Sequence, residues 1–489
     1  MDDTPPFPMN EEALDIAIEL GLLMNCHIVD ELHIARKQYL DGSIPTGFQR
    51  TAIVSVGGGI KYKDRIINLI QMSIEEDSCR EVSDVGHRRV YITDRLGMPL
   101  IETVTHPEMK TPQEVAEVNK ILSRIVKSTG KVRTGIGAAR QDVNVSVHGG
   151  TRVEIKGVPR IEKIPILTYN EAMRQWNLLK LRQELHSRGI TPETFSARYE
   201  CVTRILKKTR YQPIKDAIER GWKVKCVVLK GFKGLLRWQT QTDTYFSREI
   251  SDRVRVIACL TTLPNIVHSD SMSDQISSSE WTLLRKHMNA TDNDTLVLVW
   301  GDEQDSETGA KEIIIRAHEA TIGIPSETRQ AHYDGTNGFE RILPGPERMY
   351  PDTDLPPIRI DQERFDRIKN NLPKSFWDRI LELKDLGFSE KEAEKIATSK
   401  YYNLFVKISE LQIPIKLVYK ALIDLPAILK RKGMNLDILS ESDIYNIFKL
   451  YKDGKIIREA IFELIKSSVF NGQFVEELIP DPCSEGELQ

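Results

Sequence analysis

The sequence lacks most of the features that identify a protein early. It has no run of 18 or more apolar residues and no recognisable signal peptide. The expectation is therefore a cytoplasmic chain rather than a membrane or exported one. Its six cysteines are scattered over 489 residues with no CxxC pair, which argues against a disulfide scaffold or a structural zinc site and fits a reducing compartment. The formal net charge is only -3, so any nucleic-acid surface has to be a local basic patch. GxGxxG, GxxxxGK[ST], GxSxG and HExxH are all missing, which removes the dinucleotide, Walker, triad and zinc-peptidase arguments. No repeat or low-complexity tract is present. What is left is an ordinary globular composition, 40% hydrophobic and 28% charged, in a chain long enough for about two to four domains.

The patterns that are present predict an α+β protein. EEALDIAIELGLLM (11–24) has an amphipathic helical spacing, with Asn10 as N-cap and two glutamates at the positive end. Strands are expected at 65–76, 88–94 and 99–105, the last two about a turn at Arg95-Leu96-Gly97. A helix is expected over 112–128, where Thr111, Pro112 and Glu114 make a capping box and Gly130 is the stop. Another is expected over roughly 169–188. Past about 220 the composition shifts, with VRVIACL (254–260) and TLVLVW (295–300) reading as buried strands and 278–288 and 306–320 as helices. This reads as an inserted α/β module. A proline-rich passage (339–360) follows, then helices to the end, with a capping box at Ser389 and Glu392. The proline-rich start and the acidic end IPDPCSEGELQ (479–489) suggest that pieces are missing on both sides.

QDVNVSVHGGTRVEIKG (141–157) alternates by two, turns at a glycine pair and alternates again. A three-residue loop, His148 to Gly150, would keep valine opposite valine. It would also set Ser146 against Arg152, Asn144 against Glu154 and Asp142 against Lys156. Such a polar face is common on a solvated antiparallel sheet, although asparagine opposite glutamate gains little there. The alternative is chemistry. Glu76 of IEED (74–77), Glu102 of PLIET (99–103) and Glu154 all lie on strands, and Mg²⁺ takes one or two carboxylates plus water and phosphate. Arg95, Arg140, Arg152 and Lys156 suit phosphate oxygens. Arg36, Lys37, Gln49 and Arg50 flank a glycine-containing loop that could hold phosphates or a nucleic-acid end, or simply be an exposed basic loop. KKTRYQPIK (207–215) and LKGFKGLLRW (229–238) mix basic and aromatic residues, as RNA-facing segments do, and snorkelling lysines explain them equally well.

Several long motifs then occur in a fixed order: NEEALDIAIELG (10–21), RKQYLDGSIPTGFQRT (36–51), IEED, DRLGMPLIE (94–102), RQDVNVSVHGGTRVEIKGV (140–158) and ERMYPDTDLPPI (347–358). In that order they resemble the B/E family of tRNA-dependent amidotransferases over nearly the whole chain. GFQRT, VEIKGV and the insertion point to its E branch. GFKGLL (231–236), HSD (268–270) and the passage from Asp334 to Pro351 make the insertion similar to that of bacterial-type aspartyl-tRNA synthetases. The resemblance implies a mostly antiparallel cradle domain in two parts (1–222 and 338–362), an inserted synthetase-like domain (223–337) and a helical domain with a partial tRNA-binding tail (363–489). It also implies ATP- and Mg²⁺-dependent phosphorylation of glutamate carried on tRNA(Gln). Ammonia from an asparaginase-like glutaminase, the D-type component, then displaces the phosphate, in a heterotetramer of two D and two E subunits.

By motif, Glu76 and Glu102 match the metal-binding carboxylates. Arg95, Asp142, Asn144, Glu154 and Lys156 fall in active-site strands, Arg140 and Arg152 would hold the nucleotide, and Arg36, Lys37, Gln49 and Arg50 would face the tRNA. Within the active-site set, Asp142 or Glu154 could hold metal through water, and Arg95 and Lys156 could hold phosphate. One motif is absent: family members begin with a GLEIH-type strand, and ELHIA (31–35) comes too late in the order to be it. A truncated sequence, a strand supplied from elsewhere and a catalytically inactive tRNA-binding relative all fit that absence. A synthetase relative, suggested by the insertion alone, lacks the synthetase catalytic motifs.

Overall fold

A computed structural model describes residues 6–39, 42–135, 137–271, 275–343 and 345–472. The acidic end expected at 479–489 lies outside them. Helix α1 (Glu11–Leu23) is followed by strands β1 (Ile34–Gln38), β2 (Phe48–Val56), β3 (Gly59–Tyr62), β4 (Arg65–Glu76), β5 (Arg80–Val85), β6 (Arg88–Ile92) and β7 (Pro99–Thr105). Then come α2 (Pro112–Ser128), the pair β8 (Gln141–Val145) and β9 (Val153–Val158), and α3 (Ile164–Ser187). The middle contains β10 (Ala197–Cys201), β11 (Lys223–Leu229), α4 (Phe246–Ile257), β12 (Ile266–His268), β13 (Thr295–Gly301) and α5 (Glu303–Ile322). After these come β14 (Glu327–Ala331), β15 (Asn337–Ile342) and β16 (Met349–Pro351).

Three sheets of four or more strands result, beside three two-stranded pairs that include β5–β6. The first runs β16–β1–β2–β4–β3, with β7 also on β4 and the short strand His27–Ile28 on β2, and every pairing is antiparallel. The second runs β8–β9–β14–β15, in which β9 and β14 are parallel. The third, β10–β11–β13–β12, is antiparallel. The mixed α+β architecture expected from the sequence is the one observed. One face of the first sheet is dry: Ala52, Val54 and Ile74 pack on Leu14, Ala17 and Ile18 of α1. Ile67, Leu69 and Met72 pack on Val118, Ile121 and Ile125 of α2. With both helices on that side, the opposite face is left for chemistry.

Several local expectations change. VRVIACL belongs mostly to helix α4, not to a strand. Phe246, Ile250 and Val254 recur every four residues and are fully buried, so the run is one stripe of a helix. The third sheet already starts at Ala197, well ahead of 223, and β14–β15 pair with β9 rather than with that sheet. Strands β6 and β7 do not pair: β6 pairs β5, and β7 joins β4. At α2 only half of the capping box forms. Thr111 accepts from the Glu114 amide at 3.2 Å, while Glu114 turns to the Lys110 amide at 2.7 Å.

Past Asp361 the described chain is helical, around one core that includes Phe388, Phe405, Leu422, Phe448 and Ile465. Here the capping boxes at Ser389 and Ser440 are complete. Arg379 ties this unit to α2 by donating to the Ser128 carbonyl at 2.7 Å. No described helix is long and apolar enough to cross a membrane.

Candidate active site

Register decides which side chains meet. Ser73 of β4 lies opposite Glu102 of β7, Ile74 opposite Ile101, Glu75 opposite Leu100 and Glu76 opposite Pro99. Residues directly opposed share a face, and successive residues alternate. Glu102, Ser73 and Glu75 therefore occupy the open face, while Ile74 and Glu76 belong to the face that α1 covers. The expected convergence of Glu76 with Glu102 does not occur. Glu76 stays beside Arg50, 3.6 Å away, on the other side of the sheet. The carboxylate that accompanies Glu102 is Glu75. A sequence signal for this existed: Ile74 and Ile101 are the inward residues of their strands, and Glu75 and Glu102 each follow one of them.

Glu75 is held from two strands. Lys37 on β1 lies 3.3 Å from one carboxylate oxygen, and the Gln49 amide on β2 donates to the other at 3.2 Å. Glu102 makes no hydrogen bond or ion pair among the described residues. Burial, and then the neighbouring Glu75 charge, push its carboxyl above the usual range.

The second sheet supplies the facing wall. Lys156 Nζ is 3.4 Å from Asp142 and 3.9 Å from Glu154. Asp142 also accepts from the Gly157 amide at 2.8 Å, and Thr328 donates to Glu154 at 3.2 Å. Asp142 and Lys156 act on Glu102 electrostatically, and Lys156 acts on Lys37, so the two sheets bring these charged groups close together in one site, here called the cleft. Burial works against the charge on Lys37 and Lys156, but the carboxylates around them prevail. Both ammonium groups are raised and stay protonated at neutral pH.

The β8–β9 pairing sets Asn144 against Glu154 and valine against β-branched partners, as the alternation predicts. Two details differ. The ladder is irregular at Asp142, with Gly157 at positive φ. The strands also stop at Val145 and resume at Val153. The expected three-residue loop opens out because Gln175 of α3 takes the backbone over, donating to the Val145 carbonyl at 3.0 Å and accepting from the Val147 amide at 3.1 Å.

The remaining candidates scatter. Arg95 is drawn off by Asp77 at 3.3 Å and the Cys79 carbonyl at 3.2 Å. Arg140 and Arg152 are exposed, with no hydrogen bond or ion pair among the described residues. Arg36, Lys37, Gln49 and Arg50 do not form one patch. Lys37 and Gln49 serve Glu75 on the open face, while Arg36 and Arg50 clamp the buried Asp352 at 2.9 and 2.7 Å on the other. Glu340 and Arg341 of β15 and Thr328 of β14 join the cleft although the sequence did not single them out as site residues, because only the β9–β14 pairing brings residues so distant in the chain to the hairpin.

The cleft suits a hard divalent cation on two counts. Glu102 is an uncommitted carboxylate beside a second one, and the buried Ser73 hydroxyl opposite it has no hydrogen-bond partner. Two carboxylates are what a Mg²⁺ site with water and nucleotide phosphate takes from a protein. Among the described residues the one group of three potential ligands within 4.8 Å is elsewhere, at His87, Asp302 and Asp305. There His87 pairs with Asp305, and Asp302 caps α5.

Residues 3–366 match the model of a family described as the GatB/GatE catalytic domain. The E subunit of a glutamyl-tRNA(Gln) amidotransferase from Pyrococcus furiosus is 38% identical over 470 residues, covering 95% of this chain and 74% of the relative. Proteins of the same name from Methanocaldococcus jannaschii and Saccharolobus solfataricus are each 36% identical, over 98% and 95% of this chain and 76% and 74% of their own lengths.

Proposed function

The chain belongs to the GatB/GatE catalytic family, and from that premise we propose that it is the E-type subunit of a glutamyl-tRNA(Gln) amidotransferase, a carbon–nitrogen ligase. It converts glutamate carried on tRNA(Gln) to glutamine, using ATP, Mg²⁺ and ammonia from an asparaginase-like glutaminase partner, in a complex of two D and two E subunits. The observation that carries this reading is the uncommitted Glu102 beside Glu75, facing Asp142, Glu154 and Lys156 across one cleft.

The chemistry follows from the charges. A glutamate carboxylate has no leaving group, so amide formation needs activation, which brings its anionic oxygen up to a polyphosphate. Glu75 and Glu102 would hold Mg²⁺, which when bound neutralises phosphoryl charge. Lys37 and Lys156, fixed on opposite walls and fully protonated, present positive charge to anionic oxygens without reorganisation. Glu76 leaves the metal-binding set, and Asp142 and Glu154 serve to hold Lys156.

The test mixes the protein with its glutaminase partner, Glu-tRNA(Gln), ATP, Mg²⁺ and glutamine and looks for Gln-tRNA. Binding of tRNA without product would indicate an inactive relative, and attachment of free aspartate to tRNA a synthetase relative. Glu102→Ala is expected to abolish turnover while leaving tRNA affinity nearly unchanged. Retained turnover in that variant sinks the assignment.

A further inference from the structure

The cleft contains a second uncommitted carboxylate, one that lies in none of the ordered motifs. Thr328 and Arg329 are adjacent on β14, yet they pair with Arg341 and Phe339 on β15, so Glu340 is the extra residue of a bulge. Bulges re-aim side chains and concentrate beside active sites. Phe339 points into the core, 1% exposed, while Arg341 pairs with Thr328, which itself bonds Glu154. Glu340 is half-buried among Arg341, Lys156, Asp142 and Glu154.

The other acids of the cleft are engaged. Asp142 is tied to Lys156 and the Gly157 amide, Glu154 to Thr328 and Lys156, and Glu75 to Lys37 and Gln49. Their oxygens are already taken up by cations, a hydroxyl and amides, so none of these three presents a free oxygen to a substrate. Glu102 lies beside Glu75, and in the reading above that pair would hold Mg²⁺. Glu340 makes no hydrogen bond or ion pair among the described residues, and its carboxyl is raised, first by burial, against the lowering effect of Arg341 and Lys156. A raised carboxyl is the better base near neutral pH.

We propose that Glu340 accepts the proton released when the amine nucleophile attacks the activated glutamyl carbonyl. This rests on the amidotransferase reading above. Ammonia forms the C–N bond, the bond between the carbonyl carbon and the phosphate oxygen breaks, and phosphate leaves with that electron pair. One nitrogen proton passes to Glu340, leaving the neutral amide.

The experiment uses the complex with its glutaminase, and in parallel ammonium chloride as the nitrogen source. Gln-tRNA formation by the unaltered protein tests the underlying reading by itself. Given that product, Glu340→Gln is expected to keep ADP formation from ATP in the presence of Glu-tRNA(Gln). Amide formation should fall on the order of 10²-fold, with Glu340→Asp recovering part of it. Hydroxylamine, whose nitrogen sheds its proton more readily once bonded to carbon, should still give hydroxamate in the Gln variant, which a merely structural defect would not allow. Amidation at the unaltered rate in Glu340→Gln overturns the proposal. So does equal loss of ADP formation, hydroxamate and amide.

Discussion

Two regions of this molecule are rich in opposite charges, and they are built on opposite terms. At the junction of α3, α4, α5 and β14, Arg174 sits fully buried with Glu249 at 2.9 Å and Glu171 at 3.0 Å, and also contacts Glu327. Arg329 and Arg316 reach the same Glu249 at 3.0 and 3.2 Å. Burial alone would raise Glu249, but Arg174 and Arg329 hold it well below the usual carboxylate range. Charges taken this far from water survive only when paired and hydrogen-bonded. In the cleft, by contrast, Glu102 and Glu340 have no such partners among the described residues and are both raised. Glu171 in the junction is raised as well, first by burial, but it keeps Arg174 at 3.0 Å; what sets the cleft apart is that Glu102 and Glu340 have no such cation bonded to them among the described residues. Gln175 connects the two, since it bonds Glu171 in the junction at 2.9 Å and the Val145 carbonyl of the hairpin at 3.0 Å.

The contrast can be tested where it is strongest. Arg174→Met should strand buried carboxylates and cost about 3–5 kcal/mol of stability, read from the urea midpoint. An unchanged midpoint would mean that the junction is not the structural lock described. Within the first sheet, Glu75→Gln should lower Gln-tRNA formation on the order of 10²-fold, whereas Glu76→Gln should change it by no more than about 3-fold, since its face is turned away. Equal losses would refute the facial sorting. A stability effect smaller than that at Arg174 is expected at Asp352, which lies between the two regimes. Burial pushes its carboxyl up, but Arg36, the Asp354 amide and Arg50 outweigh this and bring it from 3.8 to about 2. A depressed carboxyl contributes stability above its unfolded value and loses it as pH falls through the folded one. Asp352→Asn should therefore cost about 2 kcal/mol above pH ~4 and nothing below pH ~2. Acid titration of both proteins by circular dichroism would show whether their curves converge across that window.

How far the site could be read in advance varies residue by residue. The β8–β9 alternation correctly opposed Asn144 to Glu154, because a period of two is a local property. The same period argued for Glu75 over Glu76, but family motifs say only that a glutamate lies in IEED, not which one faces in. Arg36 and Arg50 looked free because their partner, Asp352, lies about 300 residues away in the chain. VRVIACL misled because a short apolar run has no periodicity with which to choose between strand and buried helix. Glu340 lies in the Asp334–Pro351 passage, but nothing in it marked that residue for the cleft, since a bulge exists only relative to the strand it fails to match.

The sequence alone determined the α+β content, the α2 and C-terminal helix caps, the alternation of the hairpin and, through long ordered motifs, the family. Each of these depends on neighbours within a few residues or on the order of motifs along the chain. The tertiary structure decided which glutamate accompanies Glu102, that Arg36 and Arg50 close on Asp352, and that Glu340 stands without a partner among the described residues. Those outcomes depend on strand register between distant segments, where a shift of one residue exchanges the two faces of a sheet.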